Sequence, residues 1–460
     1  MPLENRICSN CIRERFLNSE IARSPVVDVA CSYCDETRPT IEMWDLAQRC
    51  DKVIEDFYSI SSLTDAVTIY DYTPEGEELV DLLENLLVTS GQAAQDLTEL
   101  LNDMWFDRGS CEHRYGDDNP WFIRTDASPQ PLSEAWERME RSLRSEARFV
   151  NPLATQTMEN IFGPILADRT NDGKSVIVEV GPTAPLDTLY RARVFQTIGA
   201  LEAALAHPER HLGPPPPRVG QAGRMNAKGV SVFYGSTQPA IAISEVRPPV
   251  GSHVVVAAFK ISRPLRLLDV TKLASVKLDP TLSVFDPATI EQSVRCRFLN
   301  QLESKLTMPV MPELVDEGYL TTQAIADYLA THPRLELDGI LFRSVQSAGE
   351  PTPSDVHNVI LFNKASKVLL SETKYADGVQ VRLFDHDEDG IRFEPQLWVE
   401  DHPADESEHS PWSNATDESL PALTLDRNTL EIHEIEGVKF TTYAHTVELH
   451  VSAQRPASNF

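Results

Sequence analysis

The chain predicts a multidomain α+β protein, and three observations carry that expectation. The first 40 residues hold two C-x2-C pairs, and a leucine stripe at helical spacing follows. Past Asn151 short strands and short helices succeed one another without the regular β-α alternation of a doubly wound fold. At 460 residues the chain exceeds what one compact core organises, which implies about two to four domains. The expected order is a zinc-ribbon-like segment over 1–40, a helical domain over 41–150, a mixed α+β domain over 175–370, and an acidic linker with a small β-rich end over 371–460.

The bulk numbers fit that plan. An apolar fraction of 41% with 24% charged residues is globular. A formal net charge of −29 argues against DNA as a partner, because phosphate binding rests on Lys and Arg. The start, MPLENRICSN, lacks the apolar core of a secretory signal, and no apolar run approaches the ~20 residues that cross a bilayer. A cytoplasmic protein with no membrane association is expected, in a compartment where thiols stay reduced.

Cys8, Cys11, Cys31 and Cys34 form C-x2-C…C-x2-C with 19 residues between the pairs. Two such hairpins present four soft ligands in a tetrahedron, which suits structural Zn²⁺ and leaves no open position for metal catalysis. Two disulfides or a redox pair are the competing readings. Cys50, Cys111 and Cys296 stand alone and read as structural.

From Ile41 to Val150 the pattern is helical. Leu79, Leu82, Leu83, Leu86 and Leu87 recur at i, i+3, i+4 spacing, and Leu97, Leu100, Leu101, Met104 and Trp105 continue the stripe beyond Gly91. Pro74 and the glutamates after it mark a helix start, and Ser133–Phe149 is a further amphipathic helix. Strands are then expected at 175–181, 187–194, 230–236, 253–261, 264–270, 338–344 and 356–362, with helices at 239–246, 288–306 and 321–331. Trp398–Leu420 carries seven Asp/Glu and no Lys or Arg and reads as a solvated linker. Residues 423–451 alternate like a small β-unit.

Between Tyr190 and Val230 the balance inverts, with six Lys/Arg against two Asp/Glu. A long Pro/Gly loop there runs into Gly223-Arg224-Met225-Asn226. Glycine lets backbone approach a phosphate, and the arginine fork suits a pyrophosphate.

LYRAR (189–193), GRMN (223–226), VFYGS (232–236), AIAISEV (240–246) and DGILFRS (338–344) occur in the order of a RES domain, which the chain resembles over roughly 185–365. The helical segment before it, with its cysteine pairs, resembles the HEPN/RES N-terminal domain. Ala222 and Met225 stand where the family favours Gly and Trp. The resemblance implies an ADP-ribosyltransferase-like fold and an enzyme that consumes NAD⁺ by phosphorolysis, hydrolysis or ADP-ribosyl transfer, often as the toxin of a toxin–antitoxin pair. It implies Arg191, Tyr234, Glu245 and Ser344 as catalytic residues, with Arg193, Arg224 and Asn226 binding NAD⁺. An inhibitory antitoxin or a protein target is the partner implied.

Those residue types suit that chemistry. Cleaving the nicotinamide–ribose bond builds positive charge on the ribose, as in other glycosyl transfers. Nicotinamide leaves from a cationic nitrogen and needs no proton, so one carboxylate, Glu245, suffices. Arg191 would hold a phosphate, Tyr234 stack on nicotinamide, and Ser344 bond ribose or order its strand. Each has a plainer alternative: an exposed strand arginine, a glutamate paired with Arg247, a core tyrosine, a strand-end hydroxyl. Two other functions compete. Arg108 and His113 form R-x4-H, within the pattern of HEPN ribonucleases, and the whole chain could be a non-catalytic partner-binding protein.

Overall fold

The computed structural model describes residues 5–26, 29–61, 75–109, 111–113, 120–125, 127–279, 281–308, 310–344, 356–370, 379–387, 390–399, 420–439 and 442–449. Pro74 and nearly all of the acidic linker lie outside the described residues. The chain forms two compact units, one of Met1–Val178, Gly223–Met225 and Leu268–Leu337, the other of Glu179–Ala222, Asn226–Leu267 and Asp338–Phe460. Among the described residues no helix is long and apolar enough to cross a membrane.

The first unit opens with strand β1 (Arg6–Cys8), which pairs antiparallel with β2 (Thr40–Glu42) and so closes the cysteine segment on itself. The helix Met43–Phe57 follows and buries Leu46, Ala47, Cys50, Val53, Ile54 and Phe57, one face at helical spacing. Strand β3 (Tyr58–Ile60) and β4 (Glu77–Glu78) come next.

The leucine stripe forms two helices rather than one, Leu79–Leu87 and Gly91–Trp105. Val88 between them takes a left-handed conformation at φ 51, and its N–H closes on the Glu84 carbonyl. A Cβ at Gly91, where the second helix restarts, would sit 2.7 Å from the Glu84 carboxylate, the end of a flexible side chain that can shift. Helix formation begins at Leu79, after β4, and not at the glutamates themselves. The leucines, with Trp105 and Phe122, fill a core shared with Ile7, Leu17 and Met43.

Past Trp105 the chain turns through β5 (Phe106–Asp107) and β6 (Glu112–His113), an antiparallel pair. Arg108 therefore lies in the turn of a hairpin, while His113 stacks on Phe106 with ring centroids 5.2 Å apart. The pair does not share a helix, which is what the ribonuclease reading required. Strand β7 (Trp121–Arg124) joins β3 and β4 in a small sheet. The amphipathic helix expected at Ser133–Phe149 spans Gln130–Ser145, with proline in its first turn. Helices Pro152–Phe162, Pro287–Thr307 and Leu320–Thr331 complete the unit. Arg295 joins two of its elements, giving 2.8 and 2.6 Å bonds to Asp168 and a 2.7 Å bond to the Ile161 carbonyl.

The second unit is built on an eight-stranded sheet. Its strands are β8 (Ile177–Val180), β9 (Thr188–Phe195), β10 (Phe233–Ser236), β11 (His253–Ile261), β12 (Leu265–Asp269), β13 (Gly339–Arg343), β14 (His357–Leu361) and, after the hairpin of β15 (Val379–Asp387) and β16 (Gly390–Val399), β17 (Leu423–Glu434). The order is β17-β11-β9-β10-β14-β13-β12-β8. Of the alternation expected over 423–451, Leu423–Glu434 forms a strand of this sheet, antiparallel to β11, while the described residues beyond it form no strand. Strand β10 begins at Phe233, later than expected, because the backbone before it is engaged elsewhere. The Val230 carbonyl accepts from Asn226 and the Ser231 carbonyl from Asn363.

β9 pairs with β11 along its whole length, yet it meets β10 in register at Tyr190↔Ser236 alone. Gly235 permits that approach: a Cβ there would lie 3.2 Å from the Tyr190 carbonyl and 2.7 Å from the Phe233 ring.

Candidate active site

Strand alternation sorts the residues of β9. Tyr190, Ala192 and Val194 pack with Ala242, Ile243 and Val246, so the short helix Pro239–Glu245 covers that face. Proline opens the helix, Ile241 and Ala242 are buried, Ala242 packing with Ala192 of β9 and Val254 and Val256 of β11, and the last turn delivers Glu245.

Glu245 is solvent-exposed, yet one of its carboxylate oxygens is fixed by two buried side chains. The Ser344 hydroxyl, just past β13, donates to Oε1 at 2.7 Å. The Asn358 amide, from β14, donates to the same oxygen at 2.7 Å. Charge-assisted bonds of this kind are the stronger ones and hold the carboxylate in one orientation. Asn358 is opposite Ser236 in the register, and Tyr234 precedes Ser236 by one alternation, so Tyr234, Ser236 and Asn358 share a face.

Tyr234 donates its hydroxyl to Asn226 Oδ1 at 2.9 Å. Asn226 is itself buried and donates to the carbonyls of Gln221, Ala227 and Val230 at 2.9, 3.2 and 3.1 Å. One side chain therefore ties the loop before β10 and sets the tyrosine ring.

Arg191 and Arg193 project from the other face of β9. Arg191 is 8% exposed, which removes the plainer reading of a surface arginine. Its guanidinium lies 4.9 Å from the Phe233 ring centroid, and that ring stands edge-on to Phe259. Nη1 of Arg191 and Nε of Arg193 are buried with no hydrogen-bond partner among the described residues, while Nη2 of Arg193 donates to the Gly213 carbonyl at 3.3 Å. Burial, and then the like charge of Arg193, pulls the Arg191 guanidinium down to about 9, still protonated at neutral pH.

The structure thus brings Glu245 and Ser344 together, with Tyr234 and Asn226 as a second linked pair. It does not join Arg191 or Arg193 to the Glu245 cluster by any hydrogen bond. Arg224 belongs to the first unit, where its guanidinium donates to the Leu306 and Met308 carbonyls at 3.0 and 2.9 Å and lies 5.2 Å from the Tyr319 ring centroid. Asn358 was not singled out from sequence. Its only signal there was an amide inside the apolar run HNVILF.

In the first unit the four sulfurs of Cys8, Cys11, Cys31 and Cys34 lie within 4.8 Å of one another. Cys8 and Cys34 are 3.6 Å apart and Cys11 and Cys31 3.8 Å. A zinc–sulfur bond of ~2.3 Å gives a tetrahedral edge of about 3.8 Å, so the donor set fits zinc. Burial opposes ionisation of Cys31, but the backbone amides of Tyr33 and Cys8 outweigh it and hold the thiol below its ordinary value. Tyr33 also donates its hydroxyl to Asp96 at 2.7 Å, fastening the second cysteine turn to the Gly91–Trp105 helix.

Compared with known protein families, residues 188–384 match the RES domain. That span contains every residue of the Glu245 cluster, both β9 arginines, and Asn226 with Tyr234. No curated protein matches the chain, and no solved structure does.

Proposed function

We propose that the chain cleaves NAD⁺ at the nicotinamide–ribose bond, with Glu245 as the carboxylate that meets the charge developing on the ribose. The observation that carries the reading is the fixed, solvent-open carboxylate of Glu245 inside the RES-matching span. A carboxylate already oriented by Ser344 and Asn358 needs no reorganisation as positive charge appears, which is where such groups contribute most.

The step balances without an acid. The C1′–N bond breaks with its electron pair passing to the pyridinium nitrogen, so nicotinamide departs neutral. The ribose is left as an oxocarbenium ion beside the Glu245 carboxylate. A nucleophile then forms the new C1′ bond: phosphate, water or a protein side chain. Where that nucleophile carries a proton, the open oxygen of Glu245 can accept it. Tyr234 offers an aromatic face to nicotinamide, and Asn226 holds it there. The buried, unpaired guanidinium of Arg191, with Arg193, supplies positive charge for the pyrophosphate.

The four-cysteine cluster is read as a structural zinc site, held by Cys8, Cys11, Cys31 and Cys34. A metal bound there stabilises the fold of the N-terminal segment and leaves no coordination position for chemistry.

The test is nicotinamide release from NAD⁺ by the full chain, with and without phosphate, with the ribosyl product identified. Release that falls sharply in Glu245→Gln is expected. No release under any condition would sink the reading, and release untouched by Glu245→Gln would remove Glu245 from it.

A further inference from the structure

Asn358 is 6% exposed, and its two amide atoms meet different fates. Nδ2 donates to Glu245 Oε1. A carboxylate only accepts, so this bond fixes which end of the amide faces Glu245 and forbids the flip that would exchange them. Oδ1 is therefore held as an acceptor, and it is buried with no hydrogen-bond partner among the described residues. Buried acceptors are seldom left open in native proteins, because the missing bond costs about 1–3 kcal/mol.

A second open acceptor stands beside it. Glu245 Oε1 takes both donors, from Ser344 and Asn358, while Oε2 of this exposed residue has no hydrogen-bond partner among the described residues. The two unfilled oxygens flank one hydrogen bond, as the outer atoms of an amide and a carboxylate that meet through Nδ2 and Oε1. Adjacent acceptors repel a phosphate. They suit a ligand with neighbouring O–H donors, and a vicinal diol is the compact group with that pattern.

We infer that Asn358 determines specificity by accepting a hydrogen bond from a ribose hydroxyl of the bound nucleotide, next to the one taken by Glu245. The inference rests on the NAD⁺ reading above and deepens it. Asn358 then has two functions, orienting Glu245 through Nδ2 and reading the sugar through Oδ1. Ser344 shares the first, donating its one hydroxyl proton to Oε1. A site built around such an acceptor rejects a ligand lacking the hydroxyl, because binding then leaves the oxygen desolvated and unpaired.

The test is equilibrium binding of NAD⁺ and its two analogues lacking either the 2′- or the 3′-hydroxyl on the nicotinamide ribose. Binding is measured in the cold on short incubation, with ligand integrity checked afterwards. Wild-type protein is expected to favour NAD⁺ over at least one analogue by roughly tenfold. In Asn358→Ala that preference should shrink to within about threefold, while Ser344→Ala keeps it. If Asn358→Ala does not fold, Asn358→Ser shortens the side chain and carries the same comparison. Equal binding of all three ligands to wild type overturns the inference and leaves the NAD⁺ reading standing. A preference that survives at Asn358 substitution overturns it too. Failure of wild type to bind NAD⁺ overturns both.

Discussion

Ser344, just past β13, and Asn358, on the neighbouring strand β14, donate to the same oxygen of Glu245, each at 2.7 Å. Glu245 sits at the end of a seven-residue helix, too short to hold a side chain still by its own length. The sheet therefore supplies the rigidity that the helix lacks.

Glu245→Gln should reduce nicotinamide release by about 10²–10³-fold, the usual cost of removing a preorganised charge at a developing ion. The residue is exposed, so thermal unfolding should move little. Initial rates beside a melting curve make the check. Ser344→Ala removes one of two clamps and should cost about tenfold, with the carboxylate still present.

Arg295 and Asp168 are both 9% exposed at the side chain and joined by two hydrogen bonds. Removing either partner strands the other, a loss of about 3–5 kcal/mol. Arg295→Met or Asp168→Asn should therefore lower the denaturant midpoint clearly. The double substitution to apolar residues should recover part of the loss. A midpoint unchanged in both single variants would contradict the burial of this pair.

Purified protein should carry about one zinc per chain. Cys31→Ser should reduce metal content to well below half and destabilise the N-terminal segment, as should a strong chelator, because binding free energy at such sites is folding free energy. Elemental analysis with a thermal melt decides it.

Glu159 accepts from the Tyr328 hydroxyl at 2.5 Å and interacts with His332 Nε2 at 3.0 Å, with Arg334 paired on its other oxygen. The Tyr328 bond, then those of His332 and Arg334, hold the carboxyl below its ordinary value of 4.5 against the opposing pull of burial. A depressed carboxyl contributes stability that is complete above its unfolded value and is lost as pH falls through the folded one. The gain should therefore be constant at neutral pH and fade below about 4.5. Glu159→Gln should flatten the acid limb of the stability curve and leave its shape above pH 6 unchanged, as read by denaturant titrations across pH.

What was legible in the sequence follows from the range of each signal. The helical period of the leucine stripe is local, and it located both helices between Leu79 and Trp105. The break between them was not legible. Val88 is a β-branched residue in a left-handed conformation, the opposite of the glycine that usually marks such a stop. Strands β9, β11, β13 and β14 showed in their apolar runs. Their order did not, since β17 lies beside β11 and β14 between β10 and β13. Glu245 and Ser344 emerged through the family resemblance. Asn358 stayed hidden because its partner is 113 residues away and only strand pairing brings them together.

The pairing of β17 with β11 joins Leu423–Glu434 to His253–Ile261 across more than a third of the chain. During synthesis β11 waits with one edge uncovered until β17 leaves the ribosome. Contacts so distant in sequence form late and slowly. This edge of the sheet is thus closed only once Leu423–Glu434 has been made, and a chain stopped before Leu423 would leave β11 as an exposed edge, open to pairing with another molecule.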